Sequence, residues 1–353
     1  MDTALHSMRE RIVAAHHART SLRIHGNRTK DFYGATIKGD PLDTRGHAGI
    51  VDYEPSELVL TARCGTSLEE IALTLAKHGQ FLAFEPPAFS GNPTLGGIVA
   101  AGLSGPRRAQ VGAVRDFVLG TRLLTAEGEL LRFGGQVMKN VAGFDVSRLL
   151  CGSLGILGLI SEVSIKVLPL PKQEVTLRLP MSATEALAAF NRWRGQPLPI
   201  SAGSWFDGAT TVRLSGAPAA LAAAQVRIGG DPLADDDAVT WWNSLRNQTH
   251  PFFGNRTSLW RLSVPATTPL MAIPGPLAAE WNGALRWHAT ELPAEEVRRL
   301  ASAAGGTATQ WRGAGEDGMF HPLSPTVLEI HRKLKERFDP RGIFNPGRLV
   351  TGL

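Results

Sequence analysis

The chain has 353 residues, more than one compact core usually holds, so two domains are expected. A hydrophobic content of 43% and a charged content of 20% are ordinary for a globular protein, and the net charge of +5 is spread without a sustained basic run. That pattern excludes nucleic acid as an expected partner and leaves room for an anionic ligand. Cys64 and Cys151 make neither a disulfide framework nor a C-x-x-C metal pair, and two cysteines cannot build an iron–sulfur cluster. The opening MDTALHSMRERIVAAHHART has no apolar leader core, and no later run approaches the ~18 apolar residues of a membrane span. The chain is read as soluble and cytoplasmic.

In chain order, 22–25 predicts a short strand that enters a turn at Gly26-Asn27-Arg28-Thr29-Lys30. Residues 58–63 predict a second strand. A helix follows, opened by a capping box of Thr66 with Glu69 or of Ser67 with Glu70 and stopped near Gly79. Glu85-Pro86-Pro87 is a rigid turn. Between Ser90 and Gly120, glycines at 91, 96, 97, 102, 105, 112 and 120 alternate with small residues, the composition of backbone that a ligand approaches closely. Consecutive amides in turns there suit a phosphate, with Arg107, Arg108 and Arg115 adding charge. No G-x-x-x-x-G-K-[ST] occurs and no G-x-G-x-x-G opens a βαβ unit, which argues against a P-loop or Rossmann site. Residues 117–126 and 129–133 form a hairpin around Glu127-Gly128. Then come KNVAGFDVSRL at 139–149, the glycine-rich GSLGILG at 152–158 and a strand over 160–168.

All eight tryptophans lie between 193 and 311. This region predicts strands at 174–179, 212–214, 259–264 and 284–289, and helices from the Ser182–Glu185 capping box and at 293–303. Gly229 to Asp237 is read as a solvated loop. The alternation suggests an α+β cap on an antiparallel sheet. A last helix begins at Pro325 and ends in FDPRGIFNPGR.

SGNPTLGG at 90–97 with Gly112 and Val118-Leu119-Gly120 resembles the pyrophosphate loop of the vanillyl-alcohol-oxidase (PCMH-type) flavoproteins. GSLGILG resembles the same family's second glycine signature. The ending resembles that of bacterial FAD-linked 2-hydroxy-acid dehydrogenases. With KNVAGFDVSRL, Ala284-Leu285-Arg286-Trp287 and the short length, the chain is similar to the FAD-binding subunits of bacterial glycolate oxidase complexes. The resemblance covers roughly residues 20–170 and 320–350. It implies an α+β, PCMH-type FAD domain of two subdomains at 1–170, a cap at 171–320, and a tail at 321–353 returning to the first domain.

It further implies a noncovalent FAD held by His25, Gly26, Asn27, Arg28 and Thr29 in the first loop, and by Pro86 and Pro87. The glycine stretch contributes Ser90, Gly91, Pro93, Thr94, Leu95, Gly96, Gly97, Ala100, Gly102, Gly105, Arg108, Gly112 and Val118. The second signature adds Gly152, Ser153, Gly155, Ile156 and Ile160. Arg28 stands where the family's first loop has a second glycine, so either the loop is reshaped or the cation contacts phosphate. A β-branched residue at Gly96 or Gly155 is expected to fill space the cofactor needs.

The implied partners are a second, catalytic FAD-binding subunit and an iron–sulfur subunit, with a small 2-hydroxy acid as substrate and membrane contact only through those partners. The histidine-rich metal motif of catalytic relatives is missing, so no metal is expected. Near its place, Arg286 can hold a carboxylate and His288 can act as a base. The plainer alternative, a structural or interface arginine and an exposed strand histidine, is preferred; Arg261 beside Trp260 has the same ambiguity. Three functions fit: a flavin-bearing subunit of a glycolate dehydrogenase complex, a self-sufficient FAD-dependent 2-hydroxy-acid dehydrogenase, or an assembly subunit with structural FAD.

Overall fold

Asp2 accepts a hydrogen bond from Leu5 N and so starts helix Thr3–Ala18, whose Leu5, Met8, Ile12 and Ala15 face inward. A computed structural model describes residues 2–36, 38–89, 91–135, 144–254, 256–313, 318–350 and 352–353. The chain folds as two units, one of Met1–Leu103, Ala113–Pro169 and Pro322–Leu353, the other of Ser104–Gly112 and Leu170–His321.

In the first unit, Leu22–His25 pairs in parallel with Asp40–Asp43. A five-stranded antiparallel sheet runs Ile50–Glu54, Val59–Arg63, Leu159–Lys166, Val118–Leu124, Leu130–Gly134. One core joins the first helix to Leu22, Leu42, Cys64, Leu124 and Leu159, and also takes in Ile343 and Phe344 from the tail. Ile343 and Phe344 of the FDPRGIFNPGR ending are therefore part of this unit's interior. Asp339 accepts from Ile343 N and Phe344 N, which folds the tail back after helix Pro325–Phe338.

The second unit is built on an eight-stranded antiparallel sheet. Its order is Asp231–Pro232, Gln173–Pro180, Ala209–Gly216, Ile200–Phe206, Leu277–Glu280, Leu285–His288, Leu259–Ser263, Thr307–Arg312. Helices Ala183–Arg194 and Pro218–Ile228 bury Phe190, Trp193 and Leu221 against Leu177 and Leu214. Helix Ala294–Ala303 packs Val297 and Ala301 with Trp260 and Leu262. Among the described residues no helix is long and apolar enough to cross a membrane.

Several expectations change. The sequence keeps 104–112 with the first domain, but side-chain chemistry places it in the second unit. Arg107 Nη2 lies 2.5 Å from Glu174 Oε1, Trp281 Nε1 donates to Gly105 O at 3.0 Å, and the Arg108 guanidinium stacks 4.3 Å from the Trp281 ring centre. The loop read through Asp237 ends earlier, because Asp235 already opens helix Asp235–Asn247. Three carboxylates in its first turn face the positive end of the helix dipole. Ser67 rather than Thr66 caps helix Leu68–Ala76, its Oγ accepting from Glu70 N, while Thr66 Oγ1 bonds Gly49. The Ser182–Glu185 capping box forms as expected. Of KNVAGFDVSRL, residues 139–143 lie outside the described residues.

Candidate functional site

The first unit contains two adjoining clefts of about 400 and 550 Å³, counted with space open to solvent. They share Ile24, His25, Gly26, Gly97, Ala100, Leu154 and Asn345. The smaller adds Thr44, Cys64, Gly96, Gly155, Gly158 and Ile160. The larger adds Asn27, Arg28, Thr29, Lys30, Asp31, Pro93, Thr94, Ala101 and Arg348.

The first loop presses on the glycine stretch. A Cβ on Gly26 would overlap Thr94 Oγ1, one on Gly91 would come 2.7 Å from Thr29 Cγ2, and Asn27 Nδ2 donates to Asn92 O at 2.6 Å. Thr94 caps helix Leu95–Ala101. The amides expected to cradle phosphate at this helix start serve the protein instead. Leu95 N donates to Thr66 O, Gly96 N to Cys64 O, and Gly97 N to Thr94 Oγ1.

The free donors are in the first loop. Among the described residues, the amides of Gly26, Asn27, Arg28 and Thr29 have no hydrogen-bond acceptor in the chain. Arg28 takes φ 57, so the loop keeps the left-handed turn that its missing glycine would have made, at roughly 1–2 kcal/mol of backbone strain. Successive amides around such a residue form an anion-binding concavity. Arg28 Nη2 donates to His25 Nε2 at 3.3 Å, which leaves Nδ1–H to donate to Gly26 O at 3.0 Å.

The tail supplies residues that the sequence reading did not assign to the site. Asn345 bridges the clefts, its Oδ1 accepting from Ile24 N at 2.8 Å and its Nδ2 donating to Leu154 O at 2.7 Å. Arg348 donates to the carbonyls of Ala35, Lys30 and Asp31. Lys335, 6% exposed, donates to Ile156 O, Phe344 O and Asp339 Oδ2, tying the second glycine signature to the tail. The match of FNPGR to a known ending was the sequence signal for this return, without saying which side chains point inward.

The two clefts gather His25, Gly26, Asn27, Arg28, Thr29, Pro93, Thr94, Gly96, Gly97, Ala100, Gly155 and Ile160 of the expected set. Pro86, Pro87, Leu95, Val118, Ser153 and Ile156 are buried outside the lining, and Gly102 meets Gly152 in close backbone contact. Gly105, Arg108 and Gly112 belong to the second unit, and Ser90 is outside the described residues. The reason given for Gly96 and Gly155 also changes. A Cβ on Gly96 would come 2.8 Å from Cys64 Cβ, and one on Gly155, at φ 74, 2.8 Å from Asn345 Nδ2, so protein rather than cofactor fills both spaces. Burial pushes the Cys64 thiol up to about 12, so the wall it forms is an inert one.

Arg286 and His288 are both enclosed within the second unit. Arg286 is fully buried, with Nε on Gly283 O at 2.6 Å, Nη2 on Thr268 O at 2.7 Å and Nη1 on Pro269 O at 3.4 Å. It clamps backbone. His288 is 1% exposed rather than an exposed strand residue, neither ring nitrogen has a hydrogen-bond partner among the described residues, and burial together with Arg286 pushes it down to about 4. Arg261 lies 5.0 Å from the Trp281 ring centre and about 6 Å from those of Trp287 and Trp311, within stacking range of three tryptophans. Among the described residues no group of three His, Cys, Asp or Glu is placed to hold a metal.

The unpartnered amides at 26–29, the cations beside them and the apolar wall of Cys64 and Ile160 fit a dinucleotide such as FAD: an anion held at one end, a flat apolar group at the other. Comparison with known proteins agrees. An FAD binding domain model matches residues 6–134, and a model of the C-terminal domain of FAD linked oxidases matches 279–349. The chain is 47% identical over 335 residues to glycolate oxidase subunit GlcE of Escherichia coli (strain K12), covering 95% of this chain and 94% of that protein. It is 32% identical to a D-lactate dehydrogenase of Anaerostipes hadrus over 38% of this chain and 28% of that protein. Among solved structures, an alkyldihydroxyacetonephosphate synthase shares the fold, with a TM-score of 0.66 at 16% identity over 97% of this chain and 74% of that one.

Proposed function

The chain belongs to the FAD-linked oxidases, and from that premise we propose that it is the FAD-binding subunit of a complex that oxidises glycolate, or a closely similar 2-hydroxy acid, to the 2-oxo acid. In this reading a second FAD-bearing subunit oxidises the substrate and an iron–sulfur subunit takes the electrons onward. The observation that carries it is the 47% identity to GlcE along nearly the whole of both chains.

When bound, FAD supplies a two-electron acceptor. The chain's own part is to hold it. The amides of 26–29 would receive the diphosphate, while Asn345 and Lys335 fix the glycine signature that forms the opposite wall. A carboxylate-holding role for Arg286 and a base role for His288 have no support in their setting. The guanidinium is engaged with three carbonyls and the imidazole is sealed from solvent.

The test is an absorption spectrum of the purified chain followed by anaerobic glycolate, with and without the partner subunits. The expected result is a flavin spectrum that glycolate bleaches only when the partners are present. Bleaching of the isolated chain would overturn the division of labour, and a chain that cannot be loaded with FAD would overturn the whole reading.

A further inference from the structure

The larger cleft carries three cations, and they are not equivalent. Arg348 is 5% exposed and its guanidinium is spent on the carbonyls of Ala35, Lys30 and Asp31. Arg28 is exposed and donates to His25 Nε2. Lys30 is half-buried. Its ammonium has Thr29 Oγ1 at 3.3 Å and the Phe89 ring centre at 5.5 Å, one acceptor for three donor hydrogens among the described residues. Beside it lie the amides of Gly26 to Thr29, which likewise have no acceptor among the described residues. Of the other charged groups around it, Asp31 acts on Arg348, and Asp43 is engaged with Arg45 and lies 4.0 Å from His25 Nδ1. A partly desolvated cation and a row of amides without chain acceptors, lining one cleft, make a concavity suited to an anion from outside the chain.

Resting on the cofactor reading above, we propose that Lys30 is the cation that pairs with the diphosphate of FAD, and that FAD binds the protonated form, so that a protein whose Lys30 is neutral takes up one proton on loading. Burial supports the proton uptake, because it pushes the Lys30 amine down to about 8 in the free protein. A bound diphosphate favours the ammonium and raises that value again. Affinity is then full below pH 8 and falls as pH rises through 8. Between pH 7 and pH 9 the loss is roughly tenfold.

The experiment uses the full-length apoprotein, titrated with FAD, ADP and riboflavin at pH 7.0 and pH 9.0. FAD loading is also followed by calorimetry at pH 8.5 in two buffers of unlike ionisation enthalpy. FAD and ADP should both weaken by roughly tenfold at the higher pH, riboflavin should not, and calorimetry should show net proton uptake. Lys30→Arg should still bind FAD with a flat pH profile, and Lys30→Met should bind weakly and equally at both pH values. The proposal is overturned if the wild-type profile is flat, if Lys30→Arg keeps the wild-type slope, or if Lys30→Met binds FAD as the wild type does. Should Lys30→Met fail to fold, the Lys30→Arg profile still decides. An apoprotein that takes up no FAD at any pH overturns the cofactor reading together with the proposal, whereas normal FAD binding without proton uptake overturns Lys30 alone.

Discussion

Replacing Lys335 by Met tests how the tail supports the cofactor cleft. The ammonium makes three bonds inside the protein, to Asp339 Oδ2 at 2.7 Å, Ile156 O at 2.7 Å and Phe344 O at 2.8 Å, and Asp339 is 1% exposed. Methionine fills most of the volume but leaves a buried carboxylate without its counter-ion and two carbonyls without a donor. Breaking one side of a buried pair costs about 3–5 kcal/mol, of which the Asp339 bonds from Ile343 N and Phe344 N return a part. Thermal unfolding monitored by near-UV circular dichroism should therefore drop by roughly 6–20 °C. A cycle with Asp339→Asn should show strong coupling, since the two groups share one bond. A drop equivalent to less than about 1 kcal/mol would refute the reasoning, because exposed pairs are worth no more than that.

Gly97→Val should leave the fold intact and weaken FAD binding at least ~10-fold, since the nearest atom to an added Cβ is Thr94 Oγ1 at 3.3 Å and the residue lines both clefts; Gly96→Val should instead fail to fold, and fluorescence titration with circular dichroism separates the two. Arg286→Lys should lower the stability of the folded chain by about 3 kcal/mol, because one ammonium cannot satisfy the three carbonyls the guanidinium reaches; denaturant titration checks it, and unchanged flavin affinity in the folded variant would agree with a structural role. Burial beside Arg286 pushes His288 down to about 4 in the folded protein, below the 6.5 of a free imidazole, so the unfolded chain binds more protons between those values and stability falls with acid. The loss from pH 7.5 to pH 5 should be about 2 kcal/mol from this residue, and His288→Gln should remove most of it.

Local signals in the sequence located much of this architecture, for physical reasons that individual residues show. Ser182 and Glu185 are a capping box three residues apart, and so the helix start is written in one turn of chain. Gly26 and Thr94 are 68 positions apart in sequence, yet both belong to motifs matched to a known cofactor loop, and they meet. Arg28 shows the limit of residue-type reasoning: the position demands φ > 0, and the fold imposes it on an arginine. Asp235 to Asp237 read as a solvated run, and the residues that follow, Trp242 and Leu245 packed inward, make it the start of a helix. The roles of Asn345 and Arg348 depend on chain returning from more than 300 residues away, and no periodicity encodes such a contact. The fates of Arg107 and Arg108 were hidden for the same reason, since their partners Glu174 and Trp281 lie in strands and turns far along the chain.

These long-range ties bear on what the protein is before FAD arrives. Each wall of the cleft is held by protein: the first loop by Thr94 and by Asn27 on Asn92, the second signature by Asn345 on Leu154 and Lys335 on Ile156, the helix start by Thr66 and Cys64. What the chain leaves unmet is charge and hydrogen bonding at the 26–30 end. The apoprotein should thus be fully folded, with native near-UV dichroism and little binding of hydrophobic dye. FAD should add stability by mass action alone, about 2.7 kcal/mol at a hundred times Kd, or roughly 5–10 °C in Tm. An apoprotein that has lost its tertiary signal and regains it only with FAD would show instead that the cofactor, rather than the tail, organises these walls.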